Sequence, residues 1–531
     1  MHKTFEPFVP FVANSLCMSL YPPRELWPEK IYTLPELTYS ETTNACHELL
    51  DANLAAGRGG RPAIYFGDSI ITYEQLFEEV VQIAGALRER DVQPGDAVVL
   101  RLLNRPHFIS TFLALLRVGA VAVPTPPLLR SRELNAIVEN AKPVLLISEP
   151  DLWADVEKIT SVECLAVESL RQGRSVECAP TAKDDPAIVL FTSGSTGVPK
   201  GCIHSHSDLL SVCDSYARYI LTPNPQDRFG GHPTMAFAYG LGGLLLFPLR
   251  FGAATVLLDR FTPETFAECL HTHEVSIAFC APISLRLMMK RVPELKTAVS
   301  SLRFAVSAGE TLPQSVYKSW REQTGVEVLD GIGSTEMLHI FVSARPGRSR
   351  AGATGEVVPG YEAMVIDEKS LQPVPDGTPG LLAVKGPTGC RYLHLPQAQQ
   401  QYVRNGWNIP GDIYIRGSDG FFQYQCRNDD LIICGGINIG GPEIEGILLE
   451  HPAVAEVAVV GSPDELYGMV PKAFVVPHDT FKPSEELKQT LQDFVRRELA
   501  PYKHPRKIEF VQELPKTTTG KIRRSELRRL L

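Results

Sequence analysis

Short apolar runs alternate along most of the chain with stretches whose apolar residues recur at helical spacing. Asp96 to Leu103 (DAVVLRLL) predicts a buried strand, His107 to Val118 a helix, and Gly119 to Pro124 a second strand ended by PTPP. The same kind of run returns at Ala187–Phe191, Ala253–Leu258, Phe304–Ser307 and Glu327–Leu329. Strands alternating with helices predict an α/β architecture built of βα units. No period of roughly 20 to 50 residues repeats, which excludes a solenoid.

From Pro452 the pattern changes to that of a compact α+β module. Glu456–Val460 and Lys472–Val476 read as strands, and Lys507–Val511 as a last one. Ser484 to Leu499 reads as a helix with Leu487, Leu491, Phe494, Val495 and Leu499 on one face, Ser484 as its N-cap and Pro501 as its stop. About 100 residues suffice for a small domain. We therefore divide the chain into an N-terminal domain, residues 1–428, and a C-terminal domain, residues 429–531, joined in the polar segment Arg427–Asp430 between Tyr424 and Leu431.

Composition narrows the class. Of 531 residues, 44% are hydrophobic and 21% charged, as in an ordinary globular protein, which excludes a disordered chain. Lys and Arg number 52 against 61 Asp and Glu, and this net charge of −9 disfavours a nucleic-acid binder. Eleven cysteines without a CxxC pair read as buried thiols in a reducing compartment. The most apolar stretch, Leu241–Leu258, carries Pro248 and Arg250 and is no membrane span. Glu6, Pro7 and Pro10 stand where a signal peptide would have its apolar core, so a cytoplasmic location is expected.

The strongest chemical signal is Phe191-Thr192-Ser193-Gly194-Ser195-Thr196-Gly197-Val198-Pro199-Lys200-Gly201. It follows the apolar run AIVL and packs three glycines, four hydroxyl residues and a lysine into eleven positions. Glycines let the backbone approach an anion, clustered N–H and O–H groups can surround phosphate oxygens, and Lys200 adds positive charge. It lacks the order of a Walker A loop.

This loop resembles the phosphate loop of the acyl-adenylate-forming superfamily, which includes acyl- and aryl-CoA ligases, peptide-synthetase adenylation domains and luciferases. Further segments match in order. Ser307-Ala308-Gly309-Glu310 resembles the segment beside the adenine. Asp330-Gly331-Ile332-Gly333-Ser334-Thr335-Glu336 resembles the AMP-binding motif, whose glutamate helps hold magnesium. Asp412, after Gly411, matches the aspartate that binds the ribose hydroxyls, Arg427 the ribose-contacting arginine, and Asp429 the hinge position. Lys521, closing PKTTTGK, matches the catalytic lysine. Cys426 replaces the usual glycine before the arginine, and Ile433 a common lysine. The resemblance implies a large domain of stacked α/β subdomains and a small mobile C-terminal domain. It further implies ATP and Mg2+, with Lys521, Thr192 and Glu336 as the catalytic set.

The residue types suit that chemistry independently. A carboxylate attacking an α-phosphate brings two anions together, so a metal, a lysine and directed donors are needed as charge accumulates. Glu336 is a hard oxygen ligand suited to magnesium. Asp412 can accept from two sugar hydroxyls, and Arg427 donates from a planar fork.

The branch is read from HPTMAFAYGLGG, His232 to Gly243. It is similar to the acid-binding segment of aryl-CoA ligases and places Phe237, Ala238, Tyr239 and Gly240 on one pocket wall. DGIGSTEMLHIF resembles the benzoate-CoA ligase branch, adding His339 and Ile340, with Gly331 and Gly333 expected to leave room for a flat ring. Segments near the N-terminus, Leu26-Trp27-Pro28, LPELTY from Leu34 and NACHELLD from Asn44, resemble 2-aminobenzoate (anthranilate)-CoA ligases. Gly435-Gly436 resembles the glycines lining the pantetheine tunnel, which implies coenzyme A as cosubstrate. The expectation is an ATP-dependent aryl-CoA ligase for anthranilate, with benzoate second and a carrier-loading aryl adenylation enzyme as the alternative. Its partners are the aromatic acid, ATP and CoA, with no nucleic acid and no membrane; a homodimer is left open. His204-Ser205-His206 and His271-Thr272-His273 lack a third ligand for a metal site.

Overall fold

The computed structural model describes residues 21–170, 173–192, 199–434, 437–464, 467–499, 503–517 and 520–531. The helix Pro106–Arg117 (PHFISTFLALLR) sets the architecture. Eleven of its twelve residues are buried, Ser110 and Thr111 among them. A helix apolar nearly all round has to be covered on every side. The longer helix Tyr73–Glu89 and the strands Ala97–Arg101 and Val121–Pro124 cover it, in a hydrophobic core that continues to Ile64, Phe229 and Ile277 of another sheet.

Four sheets are present among the described residues. One six-stranded sheet runs Glu163–Ala166, Leu145–Ser148, Ala97–Arg101, Val121–Pro124, Pro186–Thr192, Lys200–Ser205, parallel except for the last pair. A nine-stranded sheet has a parallel centre, Pro62–Phe66, Ala254–Leu257, Arg228–Gly231, Ile277–Cys280, Phe304–Ser307 and Glu327–Gly333. Antiparallel strands extend it on both sides. A second six-stranded sheet is antiparallel and carries Asp412–Arg416 beside Phe422–Arg427. The last sheet, of five strands, belongs to the small C-terminal domain.

In that small domain Val454–Asp464 and Gly468–Pro477 form a long hairpin, with Lys507–Phe510 added in parallel. The helix Glu485–Glu498 lies with Leu491 and Val495 fully buried, and the Ser484 hydroxyl accepts from the Leu487 N–H at 3.1 Å. The expected helix and strands stand within a few residues of their sequence bounds. The expected strand at Gly119 starts only at Val121, because Gly119 turns the chain with φ +76°. The apolar stretch from Leu241 breaks into short helical turns, a turn at Gly252 (φ +68°) and the strand Ala254–Leu257, all packed in the core. No helix among the described residues is long and apolar enough to cross a membrane.

Candidate active site

Parallel strands leave their carboxyl ends open to ligands, and three candidate motifs sit there. Phe304–Ser307 delivers Ala308-Gly309-Glu310, and its neighbour Glu327–Gly333 delivers the Asp330–Glu336 motif, with Ser307 and Asp330 as register partners. Gly309 has φ +90° and open space where a side chain would stand, a geometry that glycine adopts without strain. Pro186–Thr192 ends at Thr192, paired across the hairpin with Lys200. The residues Ser193, Gly194, Ser195, Thr196 and Gly197 lie outside the described residues.

The turn after Ser334 is tightly fixed. The Leu338 N–H donates to the Thr335 carbonyl at 3.1 Å, which places Glu336 at the corner. Leu338 itself is buried with φ +67°, strain that a non-glycine residue sustains only where packing dictates it. The Glu336 carboxylate accepts from the Tyr392 hydroxyl at 2.7 Å, and Lys200 Nζ stands 5.5 Å from the same tyrosine ring. A single hard carboxylate with a lysine in the same neighbourhood fits magnesium held chiefly by water and substrate phosphate. The described cluster of ligand-type side chains elsewhere, Cys46, Asp51 and Cys178, fits a cation poorly: Arg117 Nη1 already occupies Asp51 at 3.0 Å. The ten cysteines among the described residues are all free.

Asp412 and Arg427 are cross-strand neighbours, Nη1 to Oδ2 3.1 Å, beside Gly411 (φ +81°). Burial pushes the Asp412 carboxyl above its usual range, against the pull of Arg427 and Lys521. Lys521 closes the 516–522 turn, its N–H donating to Thr517 Oγ1 at 3.1 Å. Lys521 is exposed, yet desolvation by the protein around it pushes its pKa below the ordinary 10.5, opposed by Glu310, Asp412 and Glu336 and reinforced by Arg427. Lys521 thus feels the charge of Glu310, Asp412 and Glu336 across the site.

The expected aryl wall forms a box of rings. Ala238 is buried, and Phe237 and Tyr239 are half-buried; the Tyr239 hydroxyl donates to the carbonyls of Val306 (2.9 Å) and Cys280 (3.2 Å). His339 is 2% exposed, ringed by Tyr216, Tyr239, Phe247 and Phe279 at 4.6–6.4 Å between centroids. Neither of its ring nitrogens has a partner in hydrogen-bonding geometry, although the Tyr239 main chain lies near. Burial pushes its pKa down to about 3, so the ring is neutral. The glycines of the segment are closely packed. A Cβ on Gly331 would meet Ile340 at 2.9 Å, on Gly333 the His339 carbonyl at 2.6 Å, and on Gly240 the Thr234 carbonyl at 2.2 Å. None of the three positions has room for a side chain.

Gly435 and Gly436 lie outside the described residues. Asp429 is exposed in the turn Asn428–Asp430, where Arg528 Nη1 donates to its carbonyl at 3.0 Å and to Asp430 at 2.5 Å. Near the C-terminus Arg524 grips Glu445 at 2.7 Å and Arg523 meets Glu526 at 2.8 Å, both within the small domain. Sequence reading missed Tyr392, Tyr402 and His204, which hold Glu336, Ser334 (hydroxyls 3.2 Å apart) and Thr335. His206, the other member of its pair, accepts from the Ala45 N–H at 3.1 Å.

A family model described as AMP-binding enzyme matches residues 52–392, and one described as AMP-binding enzyme C-terminal domain matches residues 443–521. The benzoate–CoA ligase of Thauera aromatica is 38% identical over 515 residues, which cover 93% of this chain and 98% of the relative. The 3-hydroxybenzoate–CoA ligase of Aromatoleum sp. (strain CIB) is 30% identical, covering 92% and 97%. The crystal structure of the anthranilate CoA ligase AuaEII with anthranoyl-AMP superposes with a TM-score of 0.88 at 32% identity, covering 94% of this chain and 99% of that one. That of a benzoate CoA ligase from Burkholderia xenovorans LB400 gives 0.84 at 33% identity, covering 92% and 100%.

Proposed function

The chain belongs to the AMP-binding enzyme family and is an AMP-forming aryl-CoA ligase; on that premise we propose that its acid is 2-aminobenzoate, with benzoate second. The observation that carries the choice of acid is His339. A neutral imidazole, able to donate from one nitrogen and accept at the other, sits among aromatic rings with no side-chain partner, the Tyr239 main chain nearby. An unsubstituted ring would offer it nothing further, whereas an amino substituent offers it a hydrogen-bond partner. The likeness to the anthranilate ligase structure supports the same reading.

In the first half-reaction the aryl carboxylate attacks the α-phosphate of ATP, and pyrophosphate leaves. Lys521, drawn toward Glu310, Asp412 and Glu336, places its ammonium where carboxylate and phosphate charge meet. Asp412 accepts from the ribose hydroxyls and is kept in place by Arg427; Thr192 and Lys200 flank the phosphate loop. Glu336 would hold magnesium, which neutralises phosphate charge when bound. In the second half-reaction the CoA thiol attacks the aryl-AMP carbonyl and AMP leaves. No protein nucleophile takes part, so binding and orientation carry the catalysis. We place the domain boundary at Asn428–Asp429, with Asp429 as the pivot and Gly435-Gly436 on the thiol channel in the second state.

Pyrophosphate release is the test, measured over anthranilate, benzoate, salicylate and 4-hydroxybenzoate, with CoA, without it, and with a phosphopantetheinylated carrier protein. The highest kcat/KM for anthranilate with CoA is expected. Benzoate ahead of anthranilate would promote the second acid, and transfer to the carrier alone would replace CoA as acceptor.

A further inference from the structure

Asp208 is wholly buried and surrounded by cations. Lys30 Nζ lies 2.5 Å from one of its oxygens, and Arg391 and the Ser205 N–H (3.0 Å) donate to the other, while His204 Nδ1 stands 3.7 Å away. Its bond to Ser205 caps the helix His206–Val212, as an aspartate at that position can. Capping explains one contact and leaves the two buried cations and the histidine unexplained. Three chain segments meet here: Lys30 comes from the N-terminal stretch that precedes residues 52–392, His204 from Lys200–Ser205, and Arg391 from the segment that pairs with that strand.

The cluster leads directly to the AMP motif. His204 Nε2 lies 2.7 Å from the Thr335 carbonyl. A carbonyl only accepts, so Nε2 carries the hydrogen and Nδ1 faces Asp208. The other lone pair of the same carbonyl takes the Leu338 N–H, the bond that closes the turn with Glu336 at its corner. On the opposite side Arg391 is followed by Tyr392, whose hydroxyl holds the Glu336 carboxylate, and the Ile203 N–H donates to the Arg391 carbonyl at 2.9 Å. Asp208 thus holds one support of Glu336 directly, Arg391 with Tyr392 after it, and lies 3.7 Å from the other, His204, whose Nδ1 makes no hydrogen bond.

We propose that Asp208, His204 and Lys30 are positioning residues for adenylation: they fix the turn that presents Glu336 to the nucleotide, and they make the N-terminal segment part of the nucleotide site. The proposal rests on the adenylate chemistry and on Glu336 as the magnesium ligand, not on which aromatic acid is used.

The experiment compares His204→Gln, whose amide N–H can still reach the Thr335 carbonyl, with His204→Leu, which cannot donate. The dissociation constant for ATP is measured by calorimetry with magnesium and with chelator, in the absence of any acid. His204→Leu should weaken magnesium-ATP by about tenfold or more while chelated ATP changes less, and His204→Gln should recover most of the loss. Thioester formation from supplied aryl-AMP should change less than adenylation. Unchanged magnesium-ATP affinity in His204→Leu, or equal losses with and without magnesium in both variants, would overturn the positioning role. Should His204→Leu fail to fold, Lys30→Met answers in its place: weaker magnesium-ATP binding supports the proposal and wild-type binding overturns it. Because nucleotide binding is read without acid, a mistaken aryl substrate would show separately, as an inactive wild type that still binds ATP.

Discussion

At the scale of single residues, charge and its burial decide the chemistry. Lys521→Ala should lose adenylation by about a hundredfold or more, as expected when a preorganised electrostatic contact to a developing charge is removed. Thioester formation from supplied aryl-AMP should fall far less, and equal loss in both half-reactions would deny Lys521 its role. Protein around Lys521 lowers its pKa from 10.5, so the ammonium is lost earlier on the alkaline side than in a free lysine. Pyrophosphate release should decline with a limb below pH 10.5, and Lys521→Arg, which stays charged, should move that limb upward in whatever activity it retains. His339 gives a second test, on the acid side. Its folded pKa of about 3 lies below the 6.5 of the unfolded chain, so the stability it permits is fully present above pH 6.5 and lost as pH falls toward 3. His339→Leu removes that loss: relative to wild type, its unfolding free energy from urea titration should drop less on acidification, by up to about 1.4 kcal/mol per pH unit. The same variant should narrow the preference for anthranilate over benzoate in pyrophosphate release. A preserved preference would free His339 from ring recognition.

At the scale of elements, the site was legible where local signals coincide and illegible where contacts are long-range. Ser484 with its apolar face gives the helix Glu485–Glu498 from sequence alone, because cap and periodicity both lie within one window. The Asp330–Glu336 and Ser307–Glu310 motifs follow apolar runs, which places them at strand ends before any coordinates are known. The helix Tyr73–Glu89 was equally available: Thr72 and Gln75 form a reciprocal cap, a T-x-x-Q signal that was not read. Lys30, His204 and Tyr392 were not available. They reach Asp208, Thr335 and Glu336 across 178, 131 and 56 positions, beyond any periodic pattern. The glycines show the limit of reading one residue at a time, since smallness at Gly331 serves the strand Ile340–Ser343 packed against it. Ala238 is different. It opens the short helix Ala238–Leu241 and is 7% exposed, beside Tyr239, whose hydroxyl is fixed by two carbonyls. A larger side chain there has little room to turn aside. Ala238→Phe should therefore abolish activation of anthranilate and benzoate while thermal unfolding stays cooperative; undiminished aryl activation would move the acid pocket elsewhere.

At the scale of the whole molecule, one cleft has to serve two reactions. In the arrangement seen here Lys521 feels the charge of Glu310, Asp412 and Glu336, as its proposed role in adenylation requires. The thiol channel of the second reaction is assigned to Gly435-Gly436, also in the small domain. One rigid pose cannot easily present both faces to the same cleft, so the small domain has to rotate, and such rotations concentrate in a few hinge residues. Asp429 suits the pivot: it is exposed, lies in the turn that follows Arg427, and has its carbonyl held by Arg528. An exposed loop aspartate without that role would tolerate substitution within about 0.5 kcal/mol. Proline at this position fixes φ near −65° and removes an N–H, which leaves a helical turn possible but restricts the change a pivot must make. Asp429→Pro should then form aryl-AMP at a near-normal rate and make the CoA thioester much more slowly. Rates of the two half-reactions measured separately decide the point, because a rigidified hinge slows only the step that follows rotation. Parallel loss in both, or loss in neither, would place the pivot at another residue.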